Sequence, residues 1–378
     1  MKAENSNRRT AESPAAGPRR DLPGQVVLVL QGGGALGAFQ VGVYEAMAEA
    51  GIEPDWVVGT SIGAINGAII AGNAPHDRLP RLREFWARVS GGGGFAPFGA
   101  VDPGRFFARL GTLMSGIPGF FAPNPDSWLG AYAPLGVAAA SFYTTAPLRE
   151  TLAELVDFRR IGAGGTRLTL GAVNARSGQM RYFDSREEPL APDHVLASGA
   201  LPPAFPAVLI DGEPYWDGGV YSNTPIEVVM DDAPRRDSLI FATQLWQQDD
   251  EDPASIQQVM SRLKDIQYSS RHRSHVARQQ QIHRLRHIVR ELGKRLPAEE
   301  RARPEVRELM SWGCGTVMHI LSLRAPRLDG EDGSKDIDFT PSGIRARWDA
   351  GYRQARERIA EAPWQEAFDP VMGVVLHE

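Results

Sequence analysis

The chain has 378 residues, 41 Lys and Arg against 46 Asp and Glu, a formal net charge of −5, and one cysteine. This length allows a large buried core, and the net negative charge argues against broad nucleic-acid binding. A lone Cys314 excludes an intramolecular disulfide and suits a reducing compartment, and no apolar run reaches the roughly 18 residues of a membrane span.

Composition along the chain suggests three parts. Residues 1–24 are polar, rich in Ala, Arg and Pro, and carry no apolar h-region, which predicts a disordered leader and not a signal peptide. We expect a catalytic domain over residues 25–245, with Leu239–Thr243 as its last strand, and a mainly helical region over residues 246–378. The expected location is cytoplasmic, with peripheral membrane contact as an option.

The first element is an apolar strand, Val26–Leu30, that runs into a glycine-rich loop and then a helix from about Ala38 to Ala50. Three consecutive glycines can turn their N–H groups outward and meet an oxyanion with fixed donors. Gly32, Gly34 and Gly37 also fit the G-x-G-x-x-G of a dinucleotide site. That fingerprint needs an acidic residue at the end of the next strand, which this chain lacks, so we disfavour it.

The second element has the form of a nucleophile elbow. Gly59, Ser61 and Gly63 make a G-x-S-x-G run between the predicted strand Trp56–Val58 and the predicted helix Ala64–Ala71. A serine on such a turn exposes its Oγ at the end of the sheet, close to a helix N-terminus that favours developing negative charge. The alternation of strand, loop and helix up to this point predicts an α/β fold with a parallel, helix-covered sheet.

An irregular stretch, residues 91–140, interrupts this alternation. It mixes Pro and Gly with Phe95, Phe98, Phe106, Phe107, Phe120, Phe121 and Trp128. Long irregular insertions are often functional, so the stretch could be a lid or an acyl-chain groove, and core packing of these aromatics is the equal alternative. Strand character returns at Leu168–Val173 and Met180–Phe183.

The third element is a carboxylate at the end of a strand. Asp217 is followed by Gly218 and Gly219, after a predicted hairpin bend at Ile210–Glu213. Asp-Gly is ordinarily only a turn dipeptide. Beside an elbow and a glycine loop, however, such a carboxylate can accept the serine proton, and no histidine is then required.

Together these motifs resemble the patatin-like acyl hydrolases, which use a Ser-Asp dyad. The resemblance rests on Gly32–Gly34, Ser61, Asp217–Gly219 and a fourth match, Ala197–Pro206, over about 200 residues. It implies a three-layer fold with a parallel-rich central sheet, Ser61 as nucleophile and Asp217 as base. It also implies an oxyanion hole at the glycine triplet, whose principal donors are the second and third glycine amides. The remaining glycines, Gly37, Gly59, Gly63, Gly218 and Gly219, would support these motifs.

The resemblance implies a lipid acyl hydrolase that needs no cofactor and acts on a phospholipid, glyceride or other acyl ester. Many members of the family carry Arg or Lys two residues after the glycine triplet, where this chain has Leu36, so phospholipid preference is less secure than ester hydrolysis. The alternatives are a catalytically silent lipid-binding or scaffold protein and, less favoured, a dinucleotide-binding enzyme.

The C-terminal region carries an amphipathic pattern over residues 254–296. Apolar positions spaced three and four apart predict one stripe along two helical stretches. The stripe comprises Ile256, Val259, Leu263, Ile266, Ile282, Leu285, Val289, Leu292 and Leu296. We expect it to pack on the catalytic domain or on a second subunit, giving a homo-oligomer, with the basic residues solvated; docking of the basic face on an anionic membrane is the alternative. The four histidines of this segment do not follow a metal-binding spacing, so we assign no metal site.

Overall fold

The computed structural model of the protein describes residues 22–90, 116–250, 252–328, 331 and 333–378. Within them the chain forms a central sheet and a small two-stranded sheet. The strands are β1 (Gln25–Leu30), β2 (Trp56–Gly59), β3 (Ala122–Pro123), β4 (Tyr143–Thr144), β5 (Arg167–Asn174), β6 (Met180–Asp184), β7 (Val208–Ile210), β8 (Glu213–Asp217), β9 (Ser238–Gln244), β10 (Met318–Arg324) and β11 (Val374–His377).

Helices cover this sheet. The α-helices of the described residues are α1 (Ala38–Glu49), α2 (Ile62–Ala71), α3 (Pro75–Ser90), α4 (Ala146–Leu155), α5 (Pro192–Ser198), α6 (Glu227–Met230), α7 (Ile256–Arg295), α8 (Ala298–Ala302), α9 (Pro304–Ser311) and α10 (Pro341–Glu361). Single 3-10 turns lie at Gly34–Gly37, Pro125–Leu129, Gly218–Val220, Lys335–Ile337, Pro363–Gln365 and Pro370–Met372.

The central sheet has nine strands in the order β11-β10-β9-β1-β2-β5-β8-β7, and β6 also pairs with β5. The strands from β11 to β5 pair in parallel, whereas β6 and β8 pair antiparallel with β5, and β7 with β8. This arrangement confirms the expected parallel-rich sheet. It also brings the carboxyl ends of β1 and β2 to one edge of the sheet, beside each other.

Strand β1 lies at the centre of the sheet and is buried on both faces, as parallel strands covered by helices usually are. Its side chains alternate between two hydrophobic cores: Leu28 and Leu30 belong to the larger core, while Val27 and Val29 belong to the smaller one. The larger core includes Phe39 of helix α1. Two cores on opposite faces of one sheet make the three-layer architecture that the motifs implied.

The C-terminal region contributes to the same sheet. Strand β10 pairs with β9 from Met318 opposite Ser238 to Arg324 opposite Gln244, and β11 then pairs with β10. Leu239–Thr243 is therefore a strand, as expected, but two further strands of the sheet follow it. The division of the chain at residue 245 stays a prediction, and the sheet crosses it.

Helix α10 of the C-terminal region packs against the first helix, α1. A Cβ on Gly42 of α1 would lie 2.0 Å from the Trp348 carbonyl oxygen, and one on Gly351 of α10 would lie 2.0 Å from the Phe39 carbonyl oxygen. Glycine on both helices thus lets the two backbones approach closely. The two regions consequently share a helical layer as well as a sheet.

The amphipathic segment forms one continuous helix, α7, and its apolar stripe does not pack on the rest of the described chain. Ile256 is 82% exposed, Leu263 63% and Leu292 58%. The expectation that this stripe covers the catalytic domain is therefore wrong. Of the described helices, none is both long enough and apolar enough to cross a bilayer.

A different and mostly polar face of α7 is the buried one. Gln279 donates to the Asp231 carboxylate, and the Nε2 atoms of His283 and His287 lie 3.3 Å and 2.8 Å from the carbonyl oxygens of Met230 and Thr316. Burial lowers the pKa of His283 to about 4. The helix packs on the end of α6 and on the segment before β10, which offer carbonyl groups, so His283 and His287 are buried and not solvated.

Candidate active site

Ser61 occupies a strained turn between β2 and α2. Its φ of 58° and ψ of −125° place a non-glycine residue in a sparsely populated conformation, and its side chain is only partly buried. A Cβ on Gly59 would lie 2.4 Å from the Gly63 carbonyl oxygen, and one on Gly63 would lie 2.2 Å from the Leu30 carbonyl oxygen. These glycines thus allow the tight strand-to-helix turn that presents the serine.

The fourth sequence match joins the two predicted catalytic residues. The Ser61 N–H donates to the Ser198 carbonyl oxygen over 3.1 Å, and the Asp217 N–H donates to the Ala200 carbonyl oxygen over 2.9 Å. The Ser198 hydroxyl in turn donates to the Gly171 carbonyl of β5 over 2.6 Å. The segment after α5 therefore fixes the elbow against the end of β8. The sequence marked this segment without assigning its role.

Asp217 ends strand β8 and is 2% exposed. It accepts the Gly219 N–H over 2.7 Å. Burial raises its pKa from 3.8 to about 6, although the nearby Ser61 side chain and the Gly219 N–H oppose the rise. A Cβ on Gly218 would lie 2.5 Å from the Gly171 carbonyl oxygen, so this turn also needs glycine. The carboxylate is thus a stronger base than an exposed aspartate.

The glycine loop lies on the other side of Ser61. Gly32 donates its N–H to the Asn223 carbonyl over 3.2 Å, and a Cβ there would lie 2.3 Å from the Asn223 Oδ1 and 3.0 Å from the Ser61 Cβ. Among the described residues, the amides of Gly33 and Gly34 donate to no acceptor. Gly32 thus shapes the loop, and the two following amides are available to a ligand.

A buried polar network supports this loop from behind. Gln40 donates to the Gln31 carbonyl over 2.6 Å, and Asn66 donates to the Gly37 carbonyl over 3.1 Å and to Gln40 over 2.9 Å. Trp86 donates to Asn66 over 3.0 Å. Sequence reasoning missed this network because its three side chains come from three different helices, α1, α2 and α3. The only local signal is amide side chains within otherwise apolar helices.

The serine, the aspartate and the glycine loop open into one cavity of about 190 Å³. Its charged lining residues, among those the structure describes, are Asp217 and Asp336. The rest of the lining is largely apolar, with contributions from Ile65, Phe120, Phe121, Tyr143, Leu148, Leu196, Leu201, Phe205, Trp246, Tyr268, Ile337 and Phe339. Such a space accommodates a hydrocarbon chain next to the reacting groups.

Aromatic residues of the predicted insertion serve both of the roles that we considered. Phe120 and Phe121 line the cavity, and they also belong to the larger core, where each ring contacts Phe205. Trp128, by contrast, is 85% exposed. The remaining aromatics of this prediction, Phe95, Phe98, Phe106 and Phe107, lie outside the described residues.

Leu36 does not face the cavity. It is buried in the larger core, so the position at which related sequences carry a cation holds an apolar side chain here. Within the described part of the chain, no group of three or more His, Cys, Asp or Glu side chains is arranged to hold a metal ion.

Comparison with known proteins assigns the family. The profile of the patatin-like phospholipases matches residues 28–230, and a second profile, described as a patatin phospholipase, matches residues 266–371. Because the first match spans more than half of the chain, the protein belongs to the patatin-like phospholipase family.

Individual relatives match over short segments. A lysophospholipase of Aspergillus terreus is 50% identical over 74 residues, which is 19% of this chain and 5% of that protein. An uncharacterized NTE family protein of Mycobacterium bovis is 38% identical over 112 residues, 27% of this chain and 19% of that protein. The chain thus spans a small fraction of these relatives.

Among solved structures, VipD from Legionella pneumophila aligns with a TM-score of 0.40 at 15% identity, covering 94% of this chain and 72% of that one.

Proposed function

We propose that the protein hydrolyses carboxylic esters of lipids through a Ser61-Asp217 dyad and an acyl-enzyme intermediate. One observation carries the proposal: Ser61 and a buried carboxylate of raised pKa, Asp217, line one apolar cavity, beside two loop amides that donate to no acceptor among the described residues. Nucleophile, base and oxyanion donors are the three parts that acyl transfer needs.

In the first half of the reaction, Asp217 removes the proton as Ser61 Oγ attacks the ester carbonyl. The amides of Gly33 and Gly34 stabilise the oxyanion, and the C–O bond to the alcohol breaks as that alcohol takes the proton. In the second half, the same carboxylate takes a proton from water, the hydroxide adds to the acyl group, and the serine leaves with the proton.

The apolar lining favours an ester with a long acyl chain. Phospholipids, lysophospholipids and neutral glycerides all share that chain. The lining charges of the described residues are acidic, which disfavours an anionic group close to the reacting carbonyl. We therefore propose fatty-acyl esters as the substrate class, with the anionic part of any phospholipid held at the mouth of the cavity.

The exposed apolar stripe of α7 is a candidate contact surface for a binding partner. Five apolar side chains, Ile256, Val259, Met260, Leu263 and Ile266, lie on one exposed face of its first turns. Tyr268, two residues further on, lines the cavity. A lipid surface that supplies the substrate would cover this stripe next to the active site, and a second copy of the chain is the competing occupant.

The test is a hydrolysis screen of the purified protein over acyl chain lengths and head groups, with a fluorophosphonate probe. Ser61→Ala should abolish labelling and hydrolysis, whereas Ser177→Ala, at an exposed turn, should leave both unchanged. Ester hydrolysis that persists in the Ser61 variant would refute the dyad. A folded parent protein without labelling or hydrolysis would favour the alternative of a silent lipid-binding protein.

A further inference from the structure

A short segment of the C-terminal region lies directly over the glycine loop. We call residues 333–339 the strap. The Asp336 carbonyl oxygen is so close to Gly34 that a Cβ there would lie 2.2 Å from it, and Gly34 has a φ of +54°. Asp336, Ile337 and Phe339 of the strap also line the cavity. The strap therefore contacts the Gly34 Cα, next to the amide of the proposed oxyanion hole, and forms a wall of the acyl site.

The strap has little regular structure to hold it in place. It contains one 3-10 turn, Lys335–Ile337. Its position depends instead on a buried ion pair: the Lys335 Nζ donates to the Asp265 Oδ1 over 2.7 Å, and the two side chains are 6% and 2% exposed. The same Asp265 oxygen accepts the Gln247 N–H over 3.2 Å. The Lys335 Nζ also lies 5.5 Å from the centre of the Trp246 ring.

Two further contacts hold the strap at residues that follow Lys335. Lys264 of α7 donates to the Asp336 carboxylate over 2.9 Å. Arg347 of α10 donates to the Asp338 carbonyl over 3.0 Å and lies 3.5 Å from the Asp338 carboxylate. Helices α7 and α10 thus hold the seven residues of the strap through three side chains: Lys264 and Asp265 of α7, and Arg347 of α10.

Burying a charged pair is costly, and replacing such a pair by apolar residues is often neutral or stabilising. A buried pair next to an active site is therefore better explained by the geometry that it imposes. Here that geometry concerns Gly34, because the strap carbonyl contacts the loop at the residue whose amide would meet the oxyanion.

We propose that Asp265 and Lys335 are positioning residues of the hydrolase: they hold the strap so that the Gly34 amide stays directed at the reacting carbonyl. This inference rests on the proposed ester hydrolysis. It follows that the active site is incomplete without residues beyond the match to the first family profile, which ends at residue 230.

The test compares Lys335→Met and Asp265→Asn with the parent protein, using one short and one long ester. Rates are expressed per fluorophosphonate-reactive Ser61, which corrects for unfolded protein. We expect kcat to fall on the order of tenfold to a hundredfold for both esters, because small displacements of a positioned group have effects of this size. KM for the short ester should change little.

The matched control is Arg78→Met. Arg78 of α3 has a side chain only 6% exposed and forms an ion pair with Glu53. Glu53 lies just before β2, so this pair lies at the amino ends of the strands, whereas the cavity lies at their carboxyl ends. Arg78→Met should lower thermal stability and leave kcat per reactive serine unchanged. The conservative Lys335→Arg should retain most of kcat. If Lys335→Met does not fold, the double variant Lys335→Gln with Asp265→Asn leaves no unpaired charge and takes its place.

A further variant distinguishes the role of the strap as a cavity wall from its effect on the glycine loop. Ile337→Ala should raise KM for the long ester more than KM for the short ester, since it removes a contact with the acyl chain. Unchanged kcat in Lys335→Met and in the double variant, with an active parent, would overturn the positioning role alone. A parent without Ser61-dependent hydrolysis would overturn the proposed function and this inference with it.

Discussion

Replacing Asp217 by asparagine should stabilise the fold while removing activity. Asp217 is buried, and its pKa is raised from 3.8 to about 6 because burial disfavours the charged form. The folded protein therefore binds this proton more tightly than the unfolded chain. Stability falls as pH rises from the unfolded value through about 6, and it is constant above that pH.

The size of the effect follows from the two pKa values. Raising a pKa from 3.8 to about 6 corresponds to about 3 kcal/mol at pH 8 and about half as much at pH 5. Asparagine has nearly the same shape and no charge. Its side-chain oxygen can still accept the Gly219 N–H, so most of this free energy should appear as added stability of the variant.

Urea unfolding of both proteins at pH 5 and pH 8 measures this difference. The variant should be more stable at both, and its advantage should grow by about 1.5 kcal/mol between them. Asp349→Asn, on the exposed face of α10, controls for the loss of one surface carboxylate. An advantage that is absent, or that shrinks as pH rises, would refute the argument that burial controls this carboxylate.

Three further predictions concern catalysis and partners. The rate constant kcat/KM should decrease below a pH of about 6, because a protonated Asp217 accepts no proton; a pH profile that is flat from 5 to 8 would contradict this. A Cβ on Gly34 would lie 2.2 Å from the Asp336 carbonyl oxygen, so Gly34→Ala should displace the loop and its amide. We expect kcat to fall about a hundredfold, the usual cost of a lost oxyanion donor, and a change confined to KM would assign the loop to ground-state binding. Leu263→Ser with Leu292→Ser should reduce sedimentation with lipid vesicles and spare hydrolysis of a short ester. If these variants instead change the molecular mass in solution, the stripe binds a second copy.

The sequence was sufficient for the catalytic motifs and the elements that carry them. Each of these is one contiguous segment of the chain: strand β1, the glycine loop, the elbow and the Asp-Gly-Gly turn. Their backbone conformations require particular residue types. Glycine is required where another carbonyl approaches within about 2.5 Å of the would-be Cβ, as at Gly59, Gly63 and Gly218. Such constraints are local, so they can be recognised without knowing the fold.

Helix α7 shows where local pattern fails. The spacing of its apolar residues correctly indicated a helix, yet the face that packs carries Gln279, His283 and His287. The spacing of apolar residues shows which of them share one face of the helix. Which face is buried depends on the surface against which the helix packs. Here that surface offers carbonyl groups, and these require polar partners.

The part of the cavity wall that comes from the C-terminal region could not be predicted from the sequence either. Asp336 and Phe339 lie more than a hundred residues after Asp217, and nothing in their immediate neighbourhood marks them as part of a site. They reach the glycine loop because β10 and β11 extend the sheet and α10 packs on α1, which brings the strap back to the carboxyl ends of the strands. Motifs that depend on backbone conformation could be found from sequence alone, whereas contacts between distant segments were decided only by the tertiary structure, since they depend on how the layers pack.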